Sequence, residues 1–185
     1  GTDRQKGQCA MNETPGAKPN AKTLLALSGL PNAGKTQTIK KVYRLLRETY
    51  PEATVTWVDP KEEPAESSDK DICLFMEIDG TLIGIESQGD PNSRLQKSLK
   101  QFAEHQPPCE VILCARRTGK GTRGMAQVIE QPHTVYGYHI VPIPKKKRHQ
   151  KDTKCANEES AKRIDRENNE CAKHILTKIV RLLAG

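Results

Sequence analysis

The chain has 185 residues, enough for one compact domain with a full core and polar ends. Only 35% of the residues are hydrophobic, and no run reaches the roughly 18 apolar residues that a membrane-spanning helix needs. The net charge of +7 favours anionic partners, whereas an aromatic content of 4% argues against a base-stacking surface for single-stranded nucleic acid. Residues 1–21 are polar and lack the apolar segment of a secretory signal, so we predict a disordered tail or residues left from expression.

The six cysteines form no CxxC pair and no zinc-like spacing with the histidines. Cys73 and Cys114 lie inside apolar runs, where a buried thiol is the ordinary expectation. This usage predicts reduced thiols and a cytoplasmic protein that is not attached to a membrane.

Strand-like and helical segments alternate along the first half of the chain. Thr23–Ser28 is a short apolar run typical of a strand that is buried on both faces. An amphipathic helix is predicted over Lys35–Thr49, and Pro51 stops it. Thr54–Val58 is a second strand that ends at Asp59, and a mobile loop over Pro60–Lys70 follows it.

The clearest turn in the chain is Asp79-Gly80, which joins two apolar runs, Ile72–Ile78 and Thr81–Glu86, into an antiparallel hairpin. The later predicted elements are a helix over Pro91–His105 with Asp90 as N-cap, a strand over Glu110–Ala115, a short helix near Gly124–Glu130, a strand over Thr134–Ile143 and a helix over Asn157–Leu183.

This order of elements predicts an α/β fold with three layers, in which a mostly parallel sheet of five to six strands contains one antiparallel hairpin strand. We divide the chain into a tail (1–21), a core (22–144), a basic linker (145–156) and a C-terminal helix that packs on the core (157–185).

The strongest motif follows the first strand: Gly29-Leu30-Pro31-Asn32-Ala33-Gly34-Lys35-Thr36 matches GxxxxGK[ST]. Its glycines let the backbone curl with amide groups turned inward, the lysine places a charge on phosphate oxygens, and the threonine hydroxyl suits Mg²⁺. The following helix adds its positive end to the same place. The predicted nucleotide-binding residues are Gly29, Pro31, Asn32, Ala33, Gly34, Lys35, Thr36 and Gln37.

On these residues the chain resembles the P-loop NTPase superfamily, firmly over Thr23–Tyr50 and loosely to about residue 143. The resemblance implies a three-layer P-loop fold that binds a nucleoside triphosphate with Mg²⁺. Ile83–Leu95 also looks like small bacterial ATP-binding proteins of undefined reaction. Because the [NT]KxD motif with which small GTPases bind guanine is missing, ATP is expected rather than GTP.

A triphosphate site also needs an acid for the metal shell. We favour Glu86, on the expectation that its strand lies beside the first one, and because a carboxylate in an apolar strand is costly without a partner. Glu86-Ser87-Gln88-Gly89 then resembles the DxxG of small GTPases, with the Gly89 amide directed at the γ-phosphate and Gln88 at a hydrolytic water. Asp90 and Asp59 are the competing acids. The predicted metal ligands are Thr36, Glu86 and Asp90.

Two basic segments complete the candidate residues. Arg116–Arg123 follows a strand and is expected beside the motif, so Arg116 and Arg117 join Lys35 and Glu86 as predicted catalytic residues. The basic run Lys145–Lys151 is either a solvent-exposed linker or a segment that contacts nucleic acid or an acidic protein. The terminal helix is equally suited to packing on the core and to oligomerisation.

Three functions remain open at this point. The first is a regulatory or effector ATPase, and the second is a small nucleotide or metabolite kinase. The third is a nucleotide-dependent module that binds nucleic acid or protein.

Overall fold

A computed structural model describes residues 21–145 and 158–185, so nearly all of the predicted tail and of the basic linker lies outside the described residues. The described residues form six strands and four helices: β1 (Thr23–Gly29), α1 (Lys35–Thr49), β2 (Thr54–Asp59), β3 (Cys73–Ile78), β4 (Thr81–Glu86), α2 (Leu95–Glu104), β5 (Val111–Arg117), α3 (Met125–Tyr136), β6 (His139–Pro144) and α4 (Glu158–Ala184).

The strands form one sheet in the order β2-β3-β4-β5-β1-β6. Within it, β3 is antiparallel to both of its neighbours, and the other neighbouring pairs are parallel. The predicted α/β class, the mostly parallel sheet and the antiparallel hairpin strand are therefore confirmed. The expectation that β4 lies beside β1 is wrong, because β5 is inserted between them.

Helices cover both faces of the sheet. On one face, Leu25 and Leu27 of β1 pack in a core with the buried sides of α1 and α4. On the other face, Leu24 and Ala26 pack in a second core with α2 and α3. Since successive side chains of a strand point to opposite faces, one apolar run supplies both cores.

Close packing between β4 and α2 depends on Gly84. A Cβ atom at this position would come within 2.5 Å of the Phe102 ring, which is fully buried. That ring also packs edge-on against Phe75, with 5.1 Å between the ring centroids. The lack of a side chain at Gly84 therefore allows α2 to approach the sheet this closely.

The helix α4 packs along α1, where Ala172, Ile175 and Ile179 are fully buried. On the same side, Lys41 Nζ donates to Asp165 Oδ1 at 2.8 Å. Thr38 Oγ1 donates to Gly34 O at 2.8 Å and lies 3.3 Å from the Asn168 side-chain amide. These polar contacts hold the first half of α1 from one side against the C-terminal helix.

Two predicted element boundaries are wrong. The helix α2 begins at Leu95 rather than Pro91, because Asn92 has a left-handed backbone (φ 58°) and Ser93 N–H closes a turn onto Asp90 O. Asp90 is consequently not its N-cap. The residues from Thr134 to Tyr136 continue α3 rather than begin a strand, although Thr134 and Val135 are β-branched, and Gly137 (φ 76°) ends the helix.

Candidate functional site

A short loop, residues 29–36, connects β1 to α1 at the carboxyl edge of the sheet. Asn32 (φ 60°) and Gly34 (φ 88°) both have left-handed backbones, which turn the chain sharply before the first helical residue. The first amide groups of α1, which have no partner inside the helix, therefore lie at this turn. The 29–36 loop has the local geometry of an anion-binding helix start.

The ammonium group of Lys35 lies inside this loop. Its Nζ donates to Gly29 O at 2.9 Å and to Leu30 O at 2.7 Å, and no ion pair of Lys35 occurs within residues 21–145 and 158–185. Burial lowers its pKa; the nearby Asp90 opposes that effect and Arg117 adds to it. Among the described residues, the acceptors of the Lys35 ammonium are therefore two backbone carbonyl oxygens of the loop.

A polar cavity of about 440 Å³ opens in front of the loop, a size within the usual range of small-molecule sites. Side chains from the loop, from the start of β3 and from the ends of β4 and β5 surround it. The lining residues are Pro31, Asn32, Gly34, Lys35, Thr36, Gln37, Asp71, Ser87, Gln88, Gly89, Asp90, Ala115 and Arg117. Of the predicted site residues, the cavity lining lacks Gly29, Ala33, Glu86, Asp59 and Arg116.

Asp71 is the functional candidate that the sequence interpretation missed. Its Oδ1 accepts a hydrogen bond from Ser87 Oγ at 2.7 Å and a longer one from Thr36 Oγ1 at 3.4 Å. Ser87 is fixed in turn by Ile72 N–H, which donates to its hydroxyl at 2.8 Å. Asp71 precedes an antiparallel strand, and the amino end of such a strand meets the carboxyl ends of the others. The antiparallel hairpin predicted from the sequence already implied that the residues before its first strand lie at this edge of the sheet.

The register of the sheet explains why Glu86 is not in the cavity. Glu86 pairs with Cys114 of β5, and Cys114 pairs with Ala26 of β1. Gly29, where the loop begins, is three residues further along β1, which corresponds to about 10 Å. Glu86 therefore lies below the edge of the sheet at which the loop opens.

The Glu86 carboxylate is fully buried and already bonded to protein groups. Its Oε1 accepts from Gln88 N–H at 2.9 Å and from Arg94 Nη2 at 3.2 Å, and its Oε2 accepts from Arg94 Nε at 2.9 Å and from Ser98 Oγ at 2.6 Å. Arg94 also pairs with Asp59. The structure thus places Glu86, a predicted metal ligand, outside the cavity lining. Glu86 and Asp59 bind Arg94, and both Glu86 and Arg94 bind Gln88 at one wall of the cavity.

That wall continues through Gly89 and Asp90, which lie against β5. Arg117 N–H donates to Gly89 O at 2.9 Å, and Arg117 Nη1 lies 3.6 Å from Asp90 Oδ1. A Cβ atom on Gly89 would come within 2.4 Å of the Ala115 carbonyl carbon, so the two backbones could not approach this closely with any other residue. Asp90 and Arg117, both predicted site residues, are thereby brought to the cavity next to Lys35.

The consecutive arginines of β5 separate, as alternation along a strand requires. Arg117 lines the cavity of the 29–36 loop, whereas Arg116 lines a groove beside α3 on another side of the sheet. The Nε atoms of both are buried without a hydrogen-bond partner among the described residues. The cavity therefore contains one of the two predicted catalytic arginines.

Comparison with known proteins adds no family to this description, since no family model and no curated protein matches the chain.

Within residues 21–145 and 158–185, no cluster of three or more His, Cys, Asp or Glu side chains is arranged to hold a metal ion. No helix of the same residues combines the length and the apolar character needed to cross a membrane. Lys145 ends the described part of the basic run, and the rest of Lys145–Lys151 lies outside it.

Proposed function

We propose that this chain binds a nucleoside triphosphate with Mg²⁺ at the 29–36 loop and cleaves or transfers the terminal phosphate. The observation that carries the proposal is the position of Lys35 within its cavity. Its ammonium lies at the start of a helix without a carboxylate partner among the described residues, and the oxygens of Thr36, Asp71 and Ser87 lie close by. A polyphosphate chain is the ligand that needs both features together.

The open hydrogen-bond donors of the cavity, rather than its net charge, favour a phosphate ligand. The lining contains two cations, Lys35 and Arg117, and two carboxylates, Asp71 and Asp90. Arg117 Nη1 is 3.6 Å from Asp90, too far for a strong ion pair, and its Nε has no partner among the described residues. A phosphate oxygen would satisfy donors that the protein leaves without an acceptor.

The same cavity has oxygen donors that fit a magnesium ion. At phosphate sites Mg²⁺ keeps water and phosphate ligands and takes only one or two protein groups, so a cluster of three carboxylates is not required. Thr36 Oγ1 and Asp71 Oδ1 are 3.4 Å apart, near the roughly 3 Å that separates adjacent ligands of an octahedral ion. Thr36 and Asp71 would hold the ion, which supplies positive charge to the phosphoryl group. In this proposal Asp71 takes the role first given to Glu86.

ATP hydrolysis in a regulatory or effector role is our first candidate reaction, with ATP favoured because the guanine motif is missing from the sequence. One observation favours a kinase as the second candidate. A smaller cavity of about 160 Å³ shares Asp90 with the main cavity and is lined further by Asn92, Ser93 and Arg123. A phosphate acceptor bound there would have a carboxylate between it and the nucleotide, in the position of a general base.

The test compares Lys35→Ala and Asp71→Asn with two matched controls, Lys41→Ala on the same helix and Asp69→Asn in the adjacent loop. Affinities for ATP and GTP are measured by calorimetry with Mg²⁺ and with EDTA. We expect Lys35→Ala to weaken ATP binding at least tenfold under both conditions, because the charge on the phosphates is lost. Asp71→Asn should remove the gain in affinity that Mg²⁺ gives and leave binding in EDTA nearly unchanged.

Wild-type affinity in Lys35→Ala would overturn the proposed site, and an unchanged Mg²⁺ effect in Asp71→Asn would overturn the proposed metal ligand. Phosphate release from Mg²⁺-ATP alone supports the ATPase. ADP formation that requires an added hydroxyl compound supports the kinase.

A further inference from the structure

A second concave surface lies between α3 and β6, away from the 29–36 loop. This α3 groove has a volume of about 510 Å³, and its main lining residues are Arg116, Ile129, Glu130, His133, His139 and Ile140. Ile129 and Glu130 precede His133 by four and three positions, so each of them neighbours His133 on the surface of the helix. The groove is open to solvent on the side of its histidines and closed by Ile129, which is fully buried.

Arg116 is the feature of the α3 groove that calls for a ligand. It is half-buried, its Nε is enclosed without a hydrogen-bond partner, and it makes no ion pair with any residue of 21–145 or 158–185. An enclosed guanidinium donor without an acceptor is costly, and native proteins rarely leave one unbonded unless a ligand or water supplies the acceptor.

Two histidines line the same groove, and the neutral His133 ring presents an acceptor to it rather than a donor. His133 Nδ1 lies 2.8 Å from Tyr138 O, and because a carbonyl oxygen only accepts, that nitrogen carries the hydrogen. The tautomer of the neutral ring is therefore fixed, and Nε2 has no bond of its own among the described residues. His139 is exposed at the first position of β6 and lines the opposite side.

We propose that the α3 groove is a second ligand site, which binds a small organic monocarboxylate with an apolar body. The planar guanidinium of Arg116 matches a carboxylate with two parallel hydrogen bonds. Ile140, which is half-buried, provides apolar surface for the rest of the molecule, and the buried Ile129 closes the groove. Arg116 is the one permanent cation of the lining and Glu130 its one carboxylate, so the groove offers a guanidinium for a single carboxylate and no excess positive charge for a polyphosphate.

This proposal does not depend on nucleotide binding. The two arginines of β5 point to different cavities, so one can be changed while the other is kept. Arg116→Gln is therefore the test variant and Arg117→Gln its matched control. Sodium benzoate is the probe, and benzamide is the neutral compound of the same shape.

Binding is measured by calorimetry and by the rise in melting temperature at constant ionic strength. Benzoate should bind the wild type and Arg117→Gln with similar affinity, and at least tenfold more weakly to Arg116→Gln. Benzamide should not bind measurably to any of them. Ala126→Leu, which fills the groove from an exposed helical position, should weaken benzoate binding without involving Arg116, so the test survives if Arg116→Gln does not fold.

Each of three results overturns the second site: no benzoate binding to the wild type, equal binding to Arg116→Gln and the wild type, or an equal loss in Arg117→Gln. The affinity for ATP is measured on the same samples. Loss of ATP binding in Arg117→Gln but not in Arg116→Gln would support the nucleotide site at the 29–36 loop, whereas the benzoate measurements alone decide the second site.

Discussion

Glu86→Gln tests whether this carboxylate holds the wall of the cavity or binds a metal. Both oxygens of Glu86 accept hydrogen bonds, and three of its four donors belong to Arg94 and Ser98. Glutamine keeps one oxygen but places an NH₂ group where the other was, so two donors lose their acceptor. At about 1.5–3 kcal/mol for each bond to a charged group, the loss is roughly 3–6 kcal/mol.

The lower end of that range is the better expectation, because Arg94 is 22% exposed and keeps its second partner, Asp59. We therefore expect Glu86→Gln to lower the free energy of unfolding by about 3 kcal/mol. With a denaturant slope of about 2 kcal/mol/M, the midpoint of urea unfolding should fall by about 1.5 M. Asp59→Asn, at the exposed end of the same ion pairs, should cost less than about 1 kcal/mol.

The magnesium effect on ATP affinity separates the two interpretations of Glu86. Below its unfolding transition, Glu86→Gln should keep the gain in affinity that Mg²⁺ gives, because its carboxylate lies outside the cavity. A variant with stability within about 0.5 kcal/mol of the wild type but no magnesium effect would refute the reasoning. Glu86 would then be the metal ligand, and Asp71 would lose that role.

Three further predictions follow from buried or paired groups. Gly84→Ala should lower stability by about 1–3 kcal/mol, measured by urea unfolding, because the new methyl group meets an aromatic ring of α2; a neutral result would contradict the close packing. Burial, with a smaller effect from Glu86, raises the pKa of Cys73 to about 12. Alkylation of its peptide at pH 8, followed by mass spectrometry, should be at least a hundredfold slower in native protein than in urea, and equal rates would count against this burial. A hydrogen bond from Lys41 lowers the pKa of Asp165. The ion pair therefore stabilises the fold at pH values above the ordinary aspartate pKa of about 4, and this stabilisation is lost as the pH falls through the lowered pKa of Asp165. The difference in stability between the wild type and Lys41→Gln should accordingly shrink in acid. A difference that stays constant with pH would exclude the ion pair as its source.

Elements whose signal is local were predicted well. The bounds of α1, Lys35–Thr49, agree with the structure because a helical apolar period and Pro51 act within a few residues. The hairpin turn at Asp79-Gly80 is also confirmed, and both of its residues have the positive φ that its turn type requires.

The errors lie where distant parts of the chain decide. The insertion of β5 between β1 and β4 cannot be read from the order of segments, and it moves Glu86 away from the loop. Asp71 was missed because only the carboxyl ends of strands were considered, although the predicted antiparallel strand brings its amino end to the same edge. The predicted strand does not begin at Thr134, because β-branched residues disfavour a helix only slightly and α3 continues to its C-cap at Gly137.

The opposite directions of Arg116 and Arg117 have a consequence for insertions and deletions. One residue added between Ala115 and Arg116 would leave the buried part of β5, Val111–Ala115, in register and turn Arg116 towards the cavity of the 29–36 loop. The inserted residue would then occupy the position that faces the α3 groove. A change of length by a single residue, with every original side chain retained, would thus keep an arginine beside Lys35 and remove the guanidinium from the α3 groove.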